Sequence, residues 1–288
     1  MALAYGLELT AQDVSADLTG AGAEDLPSNV QTVREARRDL ARTLLEREAW
    51  YDMAEAIRAH VDYHRAKEGQ PKGSAPPLPQ VPDEMLTAMT RAAVVRRADG
   101  GGWRPGSPFD DADVRGASHE AEKFWQGTWL EYAVLAALES VRADPRYGIS
   151  DIVQGKAFRG FLGRGLSPND PYAGEVDVAV ICRARMVIFE CKDRKGVDLR
   201  NEKFKIGTQK AWLGGRYARA CVVAGGRGAR DLTEAKRREI SDQLEANCRS
   251  ARAEPLEIEP GPQAWDKLVS ALCEKLNRWA SDPVPELG

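Results

Sequence analysis

The chain has 288 residues and a formal net charge of -3, from 41 Lys and Arg against 44 Asp and Glu. This length suffices for one large or two smaller domains with a core of their own. The balanced charge excludes binding to nucleic acid through overall charge alone, although a local basic strip is compatible with it. The 5 cysteines include no C-x-x-C pair, which argues against a zinc ribbon or iron–sulfur cluster and fits a reducing cytoplasm. The longest apolar run, 132–138, is too short to span a membrane, so we expect a cytoplasmic protein with no membrane partner.

Residues 1–118 predict an α-helical N-terminal region that is interrupted by Pro- and Gly-rich linkers. Apolar residues recur at a spacing of three and four over 28–67, which predicts a long helix. Its length favours a helical hairpin or a dimerising coil, and the alternative is one helix that lies across the main domain. A short helix is predicted at 83–97, between linkers at 69–82 and 98–116. The second linker predicts a domain boundary near residue 118.

The second domain, 119–288, shows alternating helical and strand patterns. The two strands in its middle are rich in β-branched residues and are separated by only three residues, so they should form a hairpin. This arrangement predicts an α/β fold with a mixed sheet. The predicted elements are a helix at 119–140, a weak strand at 149–161, strands at 175–182, 186–191 and 220–224, and helices at 232–248 and 263–279.

The predicted hairpin brings two carboxylates together. If Cys182 lies opposite Arg185, then Asp177 lies directly across from Glu190 on the same face. Opposed like charges destabilise a strand pair, and a divalent cation would compensate them, since hard oxygen ligands suit Mg²⁺ or Mn²⁺. Lys192 follows two residues after Glu190 on that face, where its ammonium could orient a water or neutralise charge on a phosphate. We therefore expect a hydrolytic metal site on the hairpin.

The predicted hairpin carries Asp177, then twelve intervening residues, then Glu190-Cys191-Lys192. This motif resembles that of the PD-(D/E)XK nuclease superfamily, with Val176 in place of the name-giving proline. The resemblance implies a restriction-endonuclease-like core: a mixed sheet with flanking helices.

The resemblance also implies a role for each residue of the motif. Asp177, Glu190 and the backbone carbonyl of Cys191 would hold Mg²⁺ or Mn²⁺, and Glu131, on an upstream helix, would support them. Lys192 would act on the attacking water. The predicted catalytic residues are therefore Asp177, Glu190, Lys192 and Glu131.

Within the superfamily, the sequence is most similar to the nuclease domain of CRISPR-associated ancillary nucleases that carry a CARF sensor domain. The similarity covers about 119–260 and rests on G-x-W-L-E (127–131), G-E-V-D-V, I-F-E-C-K and L-G-G (213–215). Those relatives bind a cyclic oligoadenylate in a Rossmann-like sensor. Residues 1–118 show neither alternating strands nor a Gly-rich ligand loop, so we do not expect a second-messenger site there. This region would serve in dimerisation or be the remnant of a sensor.

A basic segment follows the hairpin. Between Lys192 and Lys210 there are seven basic and three acidic residues, a local charge of +4 in an acidic chain. Beside the paired carboxylates this favours phosphate binding; without them, a solvated helix face would be the better interpretation. The predicted nucleic-acid-binding residues are Arg194, Lys195, Arg200, Lys203, Lys205, Gln209 and Lys210.

Together these features predict a Mg²⁺- or Mn²⁺-dependent endonuclease that acts on DNA in preference to RNA, works as a homodimer and belongs to CRISPR-linked antiviral defence. A DNA-repair or junction-resolving nuclease and a restriction nuclease would use the same chemistry. A non-catalytic nucleic-acid-binding assembly module is the alternative outside enzymes. His60 and His64 have the spacing of a zinc pair but lack the glutamate of H-E-x-x-H, so we interpret them as helix surface.

Overall fold

The computed structural model divides the chain into two compact units, which are treated separately below. The first comprises 1–12, 137–259 and 265–288, and the second comprises 13–136 and 260–264. The predicted boundary near residue 118 lies outside the described residues. The structure describes residues 8–10, 30–65, 74–98, 102–106, 121–159, 174–183, 185–193, 206–207, 209–210, 217–226 and 233–281.

Helices cluster in the N-terminal part of the described chain and strands follow one another in its middle. In chain order they are β1 (Glu8–Thr10), α1 (Val30–Glu46), α2 (Glu48–Arg65), α3 (Asp83–Arg91), β2 (Val95–Arg97), β3 (Trp103–Pro105), a π-helical turn (Phe124–Thr128), α4 (Trp129–Val141), β4 (Ile149–Arg159), β5 (Gly174–Cys182), β6 (Arg185–Lys192), β7 (Arg219–Ala224), α5 (Glu234–Ser250), β8 (Glu254–Glu257) and α6 (Ala264–Ser281).

The first unit is built on a six-stranded mixed sheet with the strand order β1-β4-β5-β6-β7-β8. The pairs from β1 to β6 are antiparallel, and β6, β7 and β8 run parallel. The interior strand β6 is buried along most of its length, as expected of a strand that is covered on both faces. One side of the core packs Ile188 and Val222 of the sheet with Leu244 and Cys248 of α5. The predicted α/β fold with a mixed sheet is confirmed.

The β5–β6 hairpin has a tight turn that fixes its register. Cys182 pairs with Arg185, so only residues 183 and 184 remain for the turn. Arg183 has a φ of 54°, as residues in two-residue hairpin turns of type I′ do. Its N–H donates to the Gly148 carbonyl at 2.8 Å. A Cβ on Gly148, which itself has a φ of 58°, would lie 2.8 Å from Arg183 Cγ, so this contact requires glycine.

The long helix predicted at 28–67 is two consecutive helices, α1 and α2, with Arg47 between them. Hydrogen bonds bracket the junction: Arg47 N–H donates to the Thr43 carbonyl at 2.9 Å, and Tyr51 N–H donates to the Arg47 carbonyl at 3.1 Å. The apolar positions that predicted the helix are buried, Leu40 and Ile57 among them. The helical pattern was therefore predicted correctly, and a break is what the helical-hairpin interpretation requires; its position at Arg47 was not predicted.

The helix predicted at 83–97 is wrong in its last third. Helix α3 ends at Arg91, and Val95–Arg97 forms strand β2, paired with β3 in a stretch predicted as a loop. Ala93 has a φ of 52°, its N–H donates to the Thr90 carbonyl, and the next N–H donates to Met89. These two bonds form a Schellman motif. The motif was missed because alanine, rather than glycine, occupies the left-handed position.

The helix predicted at 119–140 is irregular at its start. A π-helical turn covers Phe124–Thr128, in which Gly127 has a φ of 133°, and regular α-helix continues to Val141. Trp125 anchors the turn through a hydrogen bond from its Nε1 to the Val94 carbonyl at 2.9 Å. No helix among the described residues is long and apolar enough to cross a membrane.

Candidate active site on the β5–β6 hairpin

Glu190, which is buried, and Lys192, which is half-buried, form an ion pair near the end of β6. They lie two residues apart on a strand, so their side chains share a face. The distance from Lys192 Nζ to Glu190 Oε1 is 2.6 Å, and the exposed fractions of the two side chains are 21% and 1%. A separation this short is typical of a charge-assisted hydrogen bond. The co-facial arrangement predicted from strand alternation is therefore present.

Asp177 reaches the same strand from β5. The ladder between β5 and β6 runs from Cys182 to its last pair, Val178 with Phe189. One further step in this register would place Asp177 opposite Glu190. The ladder ends before that step, and Asp177 Oδ2 accepts a hydrogen bond from the Cys191 N–H at 2.8 Å. Because Cys191 lies between Glu190 and Lys192, the contacts of both carboxylates fall on three consecutive residues of β6.

The site lies at the carboxyl ends of two parallel strands. Lys192 pairs in register with Ala224 at the end of β7, and the Gly225 N–H donates to the Lys192 carbonyl at 2.8 Å. In open α/β sheets, ligands bind outside the carboxyl ends of the strands. Asp193, the residue after Lys192, is also buried, with 7% exposure. From the sequence, Asp193 entered only as one of the three acidic residues in the segment 192–210; its position directly after a buried strand was the available signal for a site.

The donors at this strand end suit a hard divalent cation. Two carboxylates and one backbone carbonyl, from Asp177, Glu190 and Cys191, are oxygen ligands of the kind that Mg²⁺ and Mn²⁺ bind. Each carboxylate uses one oxygen in the contacts above and has a second one. Within the described ranges, no three His, Cys, Asp or Glu side chains form a group that could hold a metal. A cation here would therefore rely on the carbonyl and on water in addition to the two carboxylates.

Glu131 belongs to the other unit. It lies in the first turn of α4, between the buried residues Leu130 and Tyr132. The Tyr132 hydroxyl accepts a hydrogen bond from Arg37 Nη1 at 3.1 Å, which ties this turn to α1. The role of Glu131 as a supporting ligand stays a prediction.

Two of the predicted nucleic-acid-binding residues are described. Gln209 is 1% exposed. Lys210 Nζ donates to the Arg252 carbonyl. Burial lowers the pKa of Lys210, and the nearby charges of Arg219 and Arg252 lower it further. Lys210 is thus tied to the chain just after α5 rather than extended into solvent. The remaining predicted residues, Arg194, Lys195, Arg200, Lys203 and Lys205, lie outside the described residues.

Comparisons with known proteins give likeness at the level of fold. The chain matches no protein-family model and no curated protein. Among solved structures, it is similar to protein VC1899 from Vibrio cholerae, with a TM-score of 0.51 and 17% identity over 96% of this chain. It is also similar to Can2 from Sulfobacillus thermosulfidooxidans, solved in complex with cyclic tetra-adenylate, with a TM-score of 0.50 and 15% identity over 95% of this chain. The chain spans 60% and 59% of the lengths of these two proteins. At these identities the two likenesses show the fold alone.

Proposed function

We propose that this protein is a Mg²⁺- or Mn²⁺-dependent nuclease that hydrolyses phosphodiester bonds of DNA at the end of the β5–β6 hairpin. The observation that carries the proposal is the Glu190–Lys192 ion pair at 2.6 Å in an apolar strand. Burying a carboxylate and an ammonium costs several kcal/mol per ion before their attraction is counted, and an apolar pair would often be as stable or more so. A functional requirement for these charges accounts for their presence.

The chemistry follows from the positions of the side chains. A divalent ion held by Asp177, Glu190 and the Cys191 carbonyl would polarise the phosphoryl oxygen and lower the pKa of a bound water. The Cys191 N–H fixes the Asp177 carboxylate in orientation. Lys192, still partly exposed, can direct its ammonium at the attacking water or at negative charge that develops on the phosphate. Glu131 would assist in holding the metal, as the family resemblance implies.

We further propose a role in CRISPR-linked defence. The support is the sequence resemblance to CRISPR ancillary nucleases and the fold likeness to Can2, which was solved with a cyclic tetra-adenylate. The sequence of residues 1–118 predicts no second-messenger site, whereas the complex of Can2 with cyclic tetra-adenylate makes this nucleotide the first effector to test. Cleavage of DNA and RNA substrates with and without cyclic tetra-adenylate measures this directly.

The decisive experiment compares Glu190→Gln with the wild type in cleavage of plasmid and of single-stranded DNA, with Mg²⁺ or Mn²⁺. Glutamine keeps the shape of the side chain, so we expect an unchanged circular dichroism spectrum. Cleavage should fall by about a hundredfold, the upper end of what loss of a group that only orients a metal ligand costs. The matched control is Glu239→Gln, which removes a carboxylate from an exposed Lys236–Glu239 pair on α5 and should leave cleavage intact. Undiminished metal-dependent cleavage by Glu190→Gln would refute the assignment.

Self-association is proposed separately, from the long N-terminal helical region and the frequency of dimers in the superfamily. Light scattering over a range of protein concentrations tests it, and a constant monomer mass would contradict it.

A further inference from the structure

Two histidines on helix α2 lie against each other. His60 and His64 are four residues apart, so their side chains project from successive turns on one face of the helix. The centroids of the two imidazole rings are 4.4 Å apart, and the ring planes are inclined by 56°. Aromatic pairs prefer centroid distances of roughly 4.5–7 Å, so these rings lie at the close end of that range. We call residues 60 and 64 the histidine pair.

The spacing of the histidine pair suits two imidazoles on one cation. Metal–nitrogen bonds are about 2.0–2.1 Å long, and a ring centroid lies about 1 Å behind its nitrogen. For bond angles between square-planar and tetrahedral values, two such rings have their centroids roughly 4.5–5 Å apart. The observed distance of 4.4 Å is close to this range, so a cation would require only small rotations of the rings.

A hydrogen bond fixes which nitrogen of His60 is available. His60 Nδ1 lies 2.8 Å from the carbonyl oxygen of Pro76. A carbonyl only accepts hydrogen bonds, so Nδ1 carries a proton and donates it, and in the neutral ring the lone pair is on Nε2. Metal-binding histidines almost always donate their other ring N–H to a carboxylate, a carbonyl or water in this way. His60 therefore already has the partner that orients a metal ligand.

His64 lies in the last turn of α2, which ends at Arg65. Its ring packs edge to face on the ring of Tyr63, with 5.3 Å between the centroids. His64 is exposed and His60 is half-buried, so a cation can reach the histidine pair from solvent. The carbonyl groups at the C-terminal end of a helix carry partial negative charge, which favours a cation at this position.

We propose that His60 and His64 bind one divalent transition cation, Zn²⁺, Ni²⁺ or Cu²⁺, through neutral imidazole nitrogens. Imidazole suits these cations, whereas Mg²⁺ prefers oxygen ligands. Among the described residues, no third His, Cys, Asp or Glu completes a group around a metal, so water or an external ligand would fill the remaining positions. The site goes beyond the proposed nuclease function, which uses a hard cation at the β5–β6 hairpin.

The missing glutamate of H-E-x-x-H does not argue against this site. In that motif the two histidines bind the metal, and the glutamate serves as the general base of a hydrolytic reaction. Its absence from 60–64 therefore bears on hydrolysis and leaves the capacity of the histidine pair to bind a metal unchanged.

The test is calorimetric titration of the full chain, without an affinity tag, with Ni²⁺ in an excess of Mg²⁺ that occupies the proposed hairpin site. His60→Gln and His64→Gln should each weaken Ni²⁺ binding at least about tenfold, because loss of a group that only orients a metal ligand already costs about 10–100-fold in affinity. His64→Gln leaves the hydrogen bond from His60 to Pro76 in place, so its loss of binding cannot come from displacement of the segment around Pro76.

The matched control is His119→Gln, which replaces the remaining one of the 3 histidines and should leave the affinity for Ni²⁺ unchanged. A second readout is thermal unfolding followed by circular dichroism. A cation that binds only the folded state, at about 100 times its Kd, should raise the melting temperature by roughly 5–10 °C. His60→Gln and His64→Gln should lose most of this rise, and His119→Gln should keep it.

The possible outcomes are distinct. If the wild type does not bind Ni²⁺, or if the double variant His60→Gln/His64→Gln binds it as tightly as the wild type, the inference is overturned, whatever Glu190→Gln does to cleavage. If His119→Gln weakens binding as much as the variants of the histidine pair do, a site of two histidines is overturned as well. Loss of binding in the variants of the pair alone supports the inference, which then stands even if no cleavage of DNA is found.

Discussion

Replacing Lys192 by Met should destabilise the protein far more than loss of a surface charge would. Methionine keeps most of the length of the side chain but removes the ammonium that lies 2.6 Å from Glu190 Oε1. At an effective dielectric constant of about 20, the attraction across that distance is roughly 6 kcal/mol. Removing one partner of a buried pair typically costs about 3–5 kcal/mol, since the other charge stays desolvated. At about 3 °C per kcal/mol, the melting temperature should fall by roughly 9–15 °C.

A double-mutant cycle isolates the pair. Glu190→Gln combined with Lys192→Met removes both charges and keeps both shapes, so the double variant should be about as stable as the wild type or up to several kcal/mol more stable. It should nevertheless be inactive in cleavage, since the proposed mechanism needs both groups. Stability is measured by urea and thermal unfolding monitored by circular dichroism.

The control cycle uses the exposed pair Lys236–Glu239, whose side chains are 49% and 51% exposed at a distance of 2.9 Å. Exposed helical pairs contribute about 0.3–0.5 kcal/mol. If the coupling energy of the Glu190–Lys192 pair proves as small as that of the control, the argument from a buried ion pair is refuted.

Four further predictions concern single positions. Asp177→Ala should lower the free energy of unfolding by about 1–3 kcal/mol, because the Cys191 N–H loses its acceptor at 2.8 Å. Asp177→Asn keeps an acceptor oxygen and should lose metal affinity, measured by calorimetry, with little loss of stability. Burial raises the pKa of Cys221 to about 12; the unfolded chain releases this proton near its ordinary pKa of about 8.5, so the contribution of Cys221 to stability should fall as the pH rises from about 9 towards 12. In the native state a thiol reagent at pH 8 should react first with Cys273, the one cysteine of the five that is not buried. Gly127→Ala should cost about 1–3 kcal/mol in thermal unfolding, since a φ of 133° strains any residue with a Cβ.

The core of the first unit was predictable because its signals are local. Apolar β-branched runs define β5 and β6, and a two-residue turn leaves one register that keeps Glu190 and Lys192 on one face. Strand alternation then gives the co-facial pair without further information. Alternation cannot predict how far the pair is buried. That depends on the parallel neighbour β7, which begins at Arg219, far along the chain from the end of β6 at Lys192.

The error at the end of α3 comes from backbone geometry without its usual sequence marker. Ala93 takes the left-handed position that ends α3, and Arg252, with a φ of 52°, takes the corresponding position after α5. Glycine is the usual residue there, and its absence let the predicted helix run through Val95 into a strand. The hydrogen bond from Cys191 N–H to Asp177 was equally unpredictable, because a sequence pattern places side chains on faces but does not show where a ladder ends.

The proposed metal site depends on electrostatics at the end of a strand ladder. The β5–β6 register leads two carboxylates, Asp177 and Glu190, towards opposition at the point where the ladder ends. Opposed carboxylates do not stabilise a strand pair by themselves, and a divalent cation would make the arrangement favourable. Lys192 already lies 2.6 Å from Glu190 Oε1, so the calorimetric comparison of Asp177→Asn with the wild type measures how much of the compensation a cation supplies.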